Sequence, residues 1–249
     1  MALSFVVDGT NYIHTLFAGT NGEYNAADSL RRLIAEFQRR YRADVCVCFD
    51  APGTTWRHEI YPAYKGTRNP KDPRLVVQLA DAQEHAEFEG LLYPQHEGYE
   101  ADDLIAMRVA ERISAGDRVV IVSRDKDCRQ LLIDERVSML PRVRQWKGEW
   151  FFEFFTAKDL TRECGLHPVQ WADYRALTGD PSDNWPGCED IGPRTAQKIL
   201  QRAGTLEVAM GDLWRLPVGP KQRDKLRRFD WQLGRRLMTL VSRRELQAA

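Results

Sequence analysis

No run in this chain is apolar for long enough to cross a membrane, and its start lacks the basic, apolar and small-residue zones of a secretory signal. The expectation is a cytoplasmic protein with no membrane partner. Cysteine is sparse: Cys46, Cys48, Cys128, Cys164 and Cys188 are odd in number and follow no framework spacing, which points to reduced, mostly core thiols. There is no C-x-x-C pair and no H-E-x-x-H, so the common zinc arrangements are missing. An excess charge of one sign is lacking too, since 36 Lys and Arg balance 36 Asp and Glu. That balance argues against a simple basic nucleic-acid binder.

The charges are nevertheless uneven. From Val77 to Asp103 there are eight acids and no Lys or Arg, whereas Arg215 to Ala249 carries ten basic residues against Asp224, Asp230 and Glu245. The basic tail (Arg227, Arg228, Arg235, Arg236, Arg243 and Arg244 among its residues) reads either as a phosphate surface or as a solvated helix face.

Three β-branched runs each end on an aspartate: Phe5–Asp8, Val45–Asp50 and Val119–Asp125. Runs this apolar read as strands buried on both faces, and in an open α/β sheet ligands bind beyond the strands' carboxyl ends. Helical patterns at Ala26–Tyr41, Leu75–Glu89 and Ala101–Ala115 alternate with these strands, and shorter strands are predicted at Val137–Leu140 and Trp150–Phe154. The expectation is a parallel, helix-covered sheet. After about Phe155 the strand signal disappears, with helices predicted at Thr156–Cys164, Pro168–Leu177, Arg194–Arg202 and Lys221–Leu240. The chain therefore divides into an α/β domain, residues 1–155, and an all-helical domain, residues 156–249.

Other acids accumulate in the same pattern. Glu100, Asp102 and Asp103 open a helix, Asp127 follows Asp125, and Asp180 and Asp183 flank a turn. One or two acids in a first helical turn are ordinary capping, but three within four positions exceed that need. Two unit charges ~4 Å apart cost ~4 kcal/mol at an effective dielectric near 20, a cost that one or two divalent cations remove. All-oxygen ligands favour Mg²⁺ or Mn²⁺. Between the second and third long strands, cations and aromatics interleave from Arg57 to Arg68. Lys65 and Arg68 suit a scissile phosphate, and Tyr61 and Tyr64 suit stacking on an unpaired terminal base. Further on, Pro186–Ala196 reads as a tight hairpin that starts a helix, whose backbone amides can grip a phosphate without reading sequence.

In order, the chain presents Val7-Asp8-Gly9, Phe49-Asp50-Ala51, Arg57-His58-Glu59 with Tyr64-Lys65 and Arg68, Gly98 to Asp103, Ser123 to Asp127, and Leu177 to Asn184. Taken together these resemble the structure-specific 5′-nuclease family: the 5′→3′ exonuclease domain of bacterial DNA polymerase I, the phage 5′-exonucleases and the flap endonucleases. The resemblance implies a PIN-like nuclease domain with helices on both faces of a parallel sheet, followed by a helix-hairpin-helix DNA-binding domain. It implies two-metal hydrolysis of DNA at free 5′ ends or 5′ flaps, in replication and repair. One metal group is implied at Asp8, Asp50, Glu100, Asp102 and Asp103, a second at Asp125, Asp127, Asp180 and Asp183. Lys65 would meet the scissile phosphate with Arg68 beside it. Gly187, Ile191, Gly192, Arg194 and Thr195 would contact duplex backbone, with a monovalent cation (K⁺) raised as a further cofactor at the hairpin. Tyr64 to about Glu97 takes the place of the family's arch over the 5′ strand, and is short.

Two positions depart from the family pattern. His14-Thr15 stands where an Arg is common, and the hairpin has Asp190-Ile191-Gly192 in place of G-x-G. Asp tolerates a left-handed conformation, so the turn is expected to survive, although its carboxylate opposes a phosphate. No polymerase domain follows, so the expectation is a free-standing, monomeric nuclease with any DNA polymerase acting in trans. A cleavage-impaired DNA-structure-binding scaffold is the alternative. An RNA-directed nuclease of the single-domain kind lacks the helical module, and a phosphatase with a strand-end nucleophile wants Asp where Thr10 stands.

Overall fold

The computed structural model describes residues 1–241; Arg243, Arg244 and Glu245 of the basic tail lie outside the described residues. From the start, β1 (Leu3–Asp8) runs directly into α1 (Gly9–Thr20), then α2 (Ala26–Tyr41), β2 (Asp44–Cys48), a short α3 (Trp56–Ile60), α4 (Pro73–Phe88), α5 (Ala101–Ser114) and β3 (Arg118–Val122). A 3-10 turn (Lys126–Leu131) precedes β4 (Val137–Trp146) and β5 (Glu149–Phe155). Thereafter come α6 (Ala157–Cys164), α7 (Trp171–Thr178), α8 (Pro193–Ala203), α9 (Leu206–Gly211), α10 (Pro220–Arg228) and α11 (Trp231–Met238). The chain forms two compact units: Met1–Thr55 and Asn69–Thr156 with Val241, and Trp56–Arg68 with Ala157–Leu240.

The first unit is a five-stranded sheet in the order β2-β1-β3-β4-β5. Alternate residues of its strands (Phe5, Val7, Val45, Val47, Val120 and Val122) enter a core with Leu30, Leu33, Ile34 and Phe37 of α2, where Phe5 and Phe37 stack with ring centroids 3.9 Å apart. On the opposite face Ser4, Val6, Cys46, Cys48, Val119 and Ile121 are buried as well, and α5 lies against β1, β2 and β3 outside that cluster, so helices cover both faces. The expected parallel sheet holds for β2, β1, β3 and β4, while β5 runs antiparallel to β4. The cause is the two-residue turn Lys147-Gly148, both at positive φ (49° and 86°), which closes a hairpin.

Helix α1 went unpredicted because Gly9, Thr10 and Asn11 are poor helix formers. It forms because Asp8 caps it and Ile13 and Phe17, four apart, bury into the core. Gly9 is required by close approach: a Cβ there would meet the Phe49 ring at 2.5 Å. The expected helix Lys221–Leu240 is two, broken at Phe229-Asp230, where Asp230 accepts the Leu233 N–H at 3.0 Å and restarts the chain as α11.

The second unit buries Leu177, Trp185, Ile191, Ile199, Leu200, Leu226 and Leu237, and the Trp185 indole donates to the Ala176 carbonyl at 2.9 Å. The basic segment Trp56–Arg68, although it follows β2 in the chain, is docked here. Arg57, 2% exposed, donates through Nε to the Leu237 carbonyl at 3.0 Å, and Asn184 Nδ2 donates to the Ala63 carbonyl at 2.8 Å.

Candidate active site

Register alone brings the first unit's acids together. Val7 pairs with Val47 on one side and Val122 on the other, so Asp8, the turn to Asp50 and the turn to Asp125 leave the sheet at one edge. Asp8 is 4% exposed; its Oδ1 accepts the Asn11 N–H at 2.9 Å and its Oδ2 accepts Ser123 Oγ at 2.8 Å. Ser123 Oγ in turn accepts the Asp125 N–H at 3.0 Å, tying two strand-end acids through one hydroxyl. Asp50 is set by Thr10 Oγ1, which accepts its N–H at 3.0 Å, and by Gln95, whose Nε2 donates to its carbonyl at 2.6 Å. The Asp50 carboxylate accepts the Ala101 N–H at 2.9 Å, joining the end of β2 to the first turn of α5. Asp125 caps the following 3-10 turn by accepting the Asp127 N–H at 2.8 Å, and Asp127 is buried.

Within Glu100, Asp102 and Asp103 the roles separate. Asp103 is fully buried, and its two oxygens accept the N–H groups of Val241 (3.1 Å) and Glu100 (3.4 Å), which is capping and anchoring work. Glu100 is 7% exposed at the N-cap, and Asp102 is half-buried in the first turn.

Burial, with the charges of Asp50 and Asp125 adding to it, raises the Asp8 carboxyl from 3.8 to about 7, against the hydrogen bonds from Asn11 and Ser123. Without divalent ions the folded chain thus keeps a proton on Asp8 that the unfolded chain has released, so its contribution to stability falls as pH rises from about 4 through about 7. Melting temperatures in EDTA across this window should fall more steeply for the wild type than for Asp8→Asn; parallel slopes would contradict the assignment.

In the second unit, Asp180 caps a 3-10 turn (Pro181–Asp183), its Oδ1 accepting Ser182 N (2.8 Å) and Oγ (2.7 Å), and Arg175 pairs with its Oδ2. Asp183 Oδ1 lies 3.1 Å from Arg68 Nη2 and 4.0 Å from Lys65 Nζ, and the Lys65 N–H donates to the Asp183 carbonyl at 3.1 Å. Lys65, at φ 52°, is therefore held by backbone while its ammonium lies 4.9 Å from the Tyr64 ring centre. Tyr64 is 2% exposed and edge-on to His58, which leaves it no face for a base in this structure. Tyr61 is half-buried, edge-on to Trp185, with its hydroxyl donating to the Asn184 carbonyl at 3.0 Å. Of the two tyrosines expected to stack on a base, Tyr64 is spent on the core.

The hairpin turn is intact with Asp190 at φ 63°. Gly187 (φ 71°) is indispensable to it, since a Cβ would meet Gly179 N at 2.4 Å. Ile191 is 3% exposed and its N–H donates to the Cys188 carbonyl, while Gly192 caps α8 with Arg194 exposed and Thr195 half-buried in the first turn. In the basic tail, Arg235 Nε is 3.1 Å from buried Asp173, Arg228 pairs with Asp224 at 3.1 Å, Arg236 lies over Trp56 and Arg227 over Trp214.

Ser123, Thr10, Asn11, Gln95 and Arg175 orient the acids, and sequence reasoning did not single them out. Ser123 had a signal, a hydroxyl at a strand end two residues before an aspartate; Gln95 lies 45 residues from the carbonyl it meets and had none.

The profile described as "5′-3′ exonuclease, N-terminal resolvase-like domain" matches residues 4–165, and "5′-3′ exonuclease, C-terminal SAM fold" matches 166–249. The thermostable DNA polymerase I of Thermus aquaticus is 40% identical over 182 residues, 73% of this chain but 21% of that protein, so the chain spans about a fifth of its length. The 5′-3′ exonuclease of Aquifex aeolicus is 33% identical over 218 residues, 83% of this chain and 72% of that protein. A structure of the bacteriophage T5 5′-exonuclease with bound divalent metal ions (zinc) is 25% identical with a TM-score of 0.78, covering 94% of this chain and 88% of that one. Another, of the T5 flap endonuclease in a pseudo-enzyme-product complex with DNA and metal ions, is 25% identical with a TM-score of 0.76, covering 96% and 88%. Both parts of the chain are matched in order, and the Aquifex relative is 33% identical over 83% of the chain: the chain belongs to the 5′-3′ exonuclease family.

Proposed function

We propose that this chain is a divalent-metal-dependent 5′→3′ exonuclease and flap endonuclease, hydrolysing DNA phosphodiesters at free 5′ ends or 5′ flaps in replication and repair. The observation that carries it is the convergence of Asp8, Asp50 and Asp125 at one sheet edge, where burial, with a smaller contribution from the neighbouring carboxylates, raises the Asp8 carboxyl to about 7. An all-oxygen donor set of this kind fits Mg²⁺ or Mn²⁺. Asp8, Asp50, Glu100 and Asp102 would hold a first ion, with Asp103 setting the helix start, and by family correspondence Asp125, Asp127, Asp180 and Asp183 would serve a second. When bound, such ions supply a water of lowered pKa and stabilise the leaving oxygen of an in-line displacement.

Lys65 and Arg68 offset phosphate charge, and the Asp183 contacts hold both cations in place. Lys65→Ala should lower kcat by about 10²-fold with KM little changed, because the contact strengthens as charge builds in the transition state. An effect confined to KM would make Lys65 a docking residue. Gly187, Gly192, Arg194 and Thr195 grip duplex backbone, with K⁺ as the cation of that hairpin; Ile191, expected among them, is buried with its N–H donated to the Cys188 carbonyl and shapes the turn instead. The catalytic part spans residues 1–155 and the DNA-gripping part 156–249, acting as a cytoplasmic monomer.

A 5′-flapped duplex and a recessed 5′ end, labelled in turn at each terminus of the cut strand, test the reaction class. Cuts at the flap junction together with mononucleotides from the recessed end are expected. Tight flap binding without cleavage in Mg²⁺ or Mn²⁺ would replace the proposal with the scaffold reading.

A further inference from the structure

A cavity of about 340 Å³ lies in the first unit between helix α1, the end of β3 and strand β4. Its volume is that of a small-molecule pocket rather than of a bare ion. Asn11 and Ser123 line it, and both hydrogen-bond the Asp8 carboxylate, at 2.9 and 2.8 Å, so the pocket borders the acids. Apolar wall comes from Leu16, Leu140 and the ring of Tyr12, whose hydroxyl is paired with Ser29 Oγ at 3.0 Å. Charge comes from Arg124, Arg142 and Arg144, and among the described residues no Asp or Glu lines the pocket. The Arg124 N–H donates to Asn11 Oδ1 at 3.1 Å, which fixes its backbone at the wall, while its exposed guanidinium has no hydrogen bond or ion pair among the described residues. Arg142 and Arg144, two apart on β4 and so on one face, share Glu153 of β5 at 3.8 and 3.9 Å, with side chains 60% and 69% exposed. One exposed carboxylate at those distances holds neither firmly.

We propose that this pocket receives the 5′-terminal nucleotide of the strand being trimmed, with its terminal phosphate on Arg124, Arg142 and Arg144; the inference rests on the nuclease reading above. Three guanidiniums exceed what a strand phosphodiester, with its single charge, calls for. A terminal phosphomonoester carries about −1.5 to −2 charges at pH 7, and its three oxygens suit the forked donors of arginine. The sugar and base then lie on Tyr12 and Leu16, contacts that read no sequence. Because Asn11 and Ser123 border both the pocket and Asp8, an end seated here sets the next phosphodiester beside the acids, and the product is a mononucleotide. The opposing charges are Glu153 and Asp8, the latter offset when a divalent cation is bound at the acids. A long flap has its terminus far from the junction, so its cleavage does not draw on the pocket's phosphate contacts.

The test gives the full chain duplexes with a recessed 5′ end bearing either a phosphate or a hydroxyl, each rate being taken relative to cleavage of a long 5′ flap. For the wild type, kcat/KM should be about tenfold or more higher on the phosphorylated end, the scale of charge-assisted hydrogen bonds to a phosphate. In Arg142→Ala/Arg144→Ala the two ends should be cut at nearly equal rates. A second readout needs no cleavage: titrated calorimetrically into the wild type, deoxyadenosine 5′-monophosphate should bind about tenfold or more tighter than deoxyadenosine, and the double variant should lose that difference. Equal rates on the two ends, or equal binding of nucleotide and nucleoside, would overturn the proposal, and the wild type alone decides both. Tighter binding of the nucleotide by a chain that cuts neither ends nor flaps would overturn the nuclease reading instead, while supporting the pocket as a site for a 5′-phosphorylated nucleotide.

Discussion

Replacing Asp125 and Asp127 together by asparagine should lower flap cleavage by about 10³-fold or more, the scale expected when a main stabiliser of transition-state charge is removed, while leaving the chain folded and able to bind DNA. Asparagine is the informative substitution. The Asp125 side chain accepts the Asp127 N–H at 2.8 Å and starts the 3-10 turn, so alanine would also cost a cap, about 1 kcal/mol. Asn keeps the acceptor and removes only charge. The Ser123 link to Asp8 is made to the Asp125 backbone N–H, so it survives as well. A double Asn variant that cleaves at the wild-type rate would remove both residues from the mechanism.

Mg²⁺ should stabilise the fold substantially. At a hundred times its Kd a ligand of the folded state contributes about 2.7 kcal/mol, and for a chain of this size each kcal/mol is worth about 2–4 °C in Tm, so a rise of roughly 5–11 °C is expected. The sign follows from Asp8: above about pH 7 its carboxylate is ionised and buried beside Asp50 and Asp125, and a cation offsets the burial cost, and the smaller repulsion, that the proton relieved at lower pH. The shift should therefore grow as pH rises through 7 and shrink in Asp8→Asn. A Tm indifferent to Mg²⁺ at pH 8 would mean that the carboxylates do not form a cluster.

The sheet and its acids were legible because buried parallel strands write themselves as unbroken apolar runs, and Asp8, Asp50 and Asp125 each terminate one. The clustering of acids at a helix start and just past Asp125 extended that reading to Glu100 and Asp127, and the family motifs assigned them to metal groups. What was not legible depends on distant partners. Arg57 stands in an aromatic, basic segment whose pattern gives no sign of burial, yet it is buried and bonded to a carbonyl 180 residues away. Tyr64 reads as a stacking platform and instead fills the second unit's core. Arg235 belongs to a basic run but answers buried Asp173. Local pattern reports residue type and period; it carries no record of which carbonyl or carboxylate a long side chain will meet. Helix α1 was hidden for a related reason, since its stability comes from the Asp8 cap and the burial of Ile13 and Phe17 rather than from propensity.

The most direct measurement is single-turnover cleavage of a 5′-flapped DNA duplex by the wild type and by Asp125→Asn/Asp127→Asn, each in Mg²⁺ and in EDTA. Rapid cleavage near the flap junction by the wild type in Mg²⁺, abolished by EDTA and nearly absent in the double variant, is the predicted result. Cleavage that persists in EDTA, or at equal rates in both proteins, would contradict a divalent-metal phosphodiesterase built on these carboxylates.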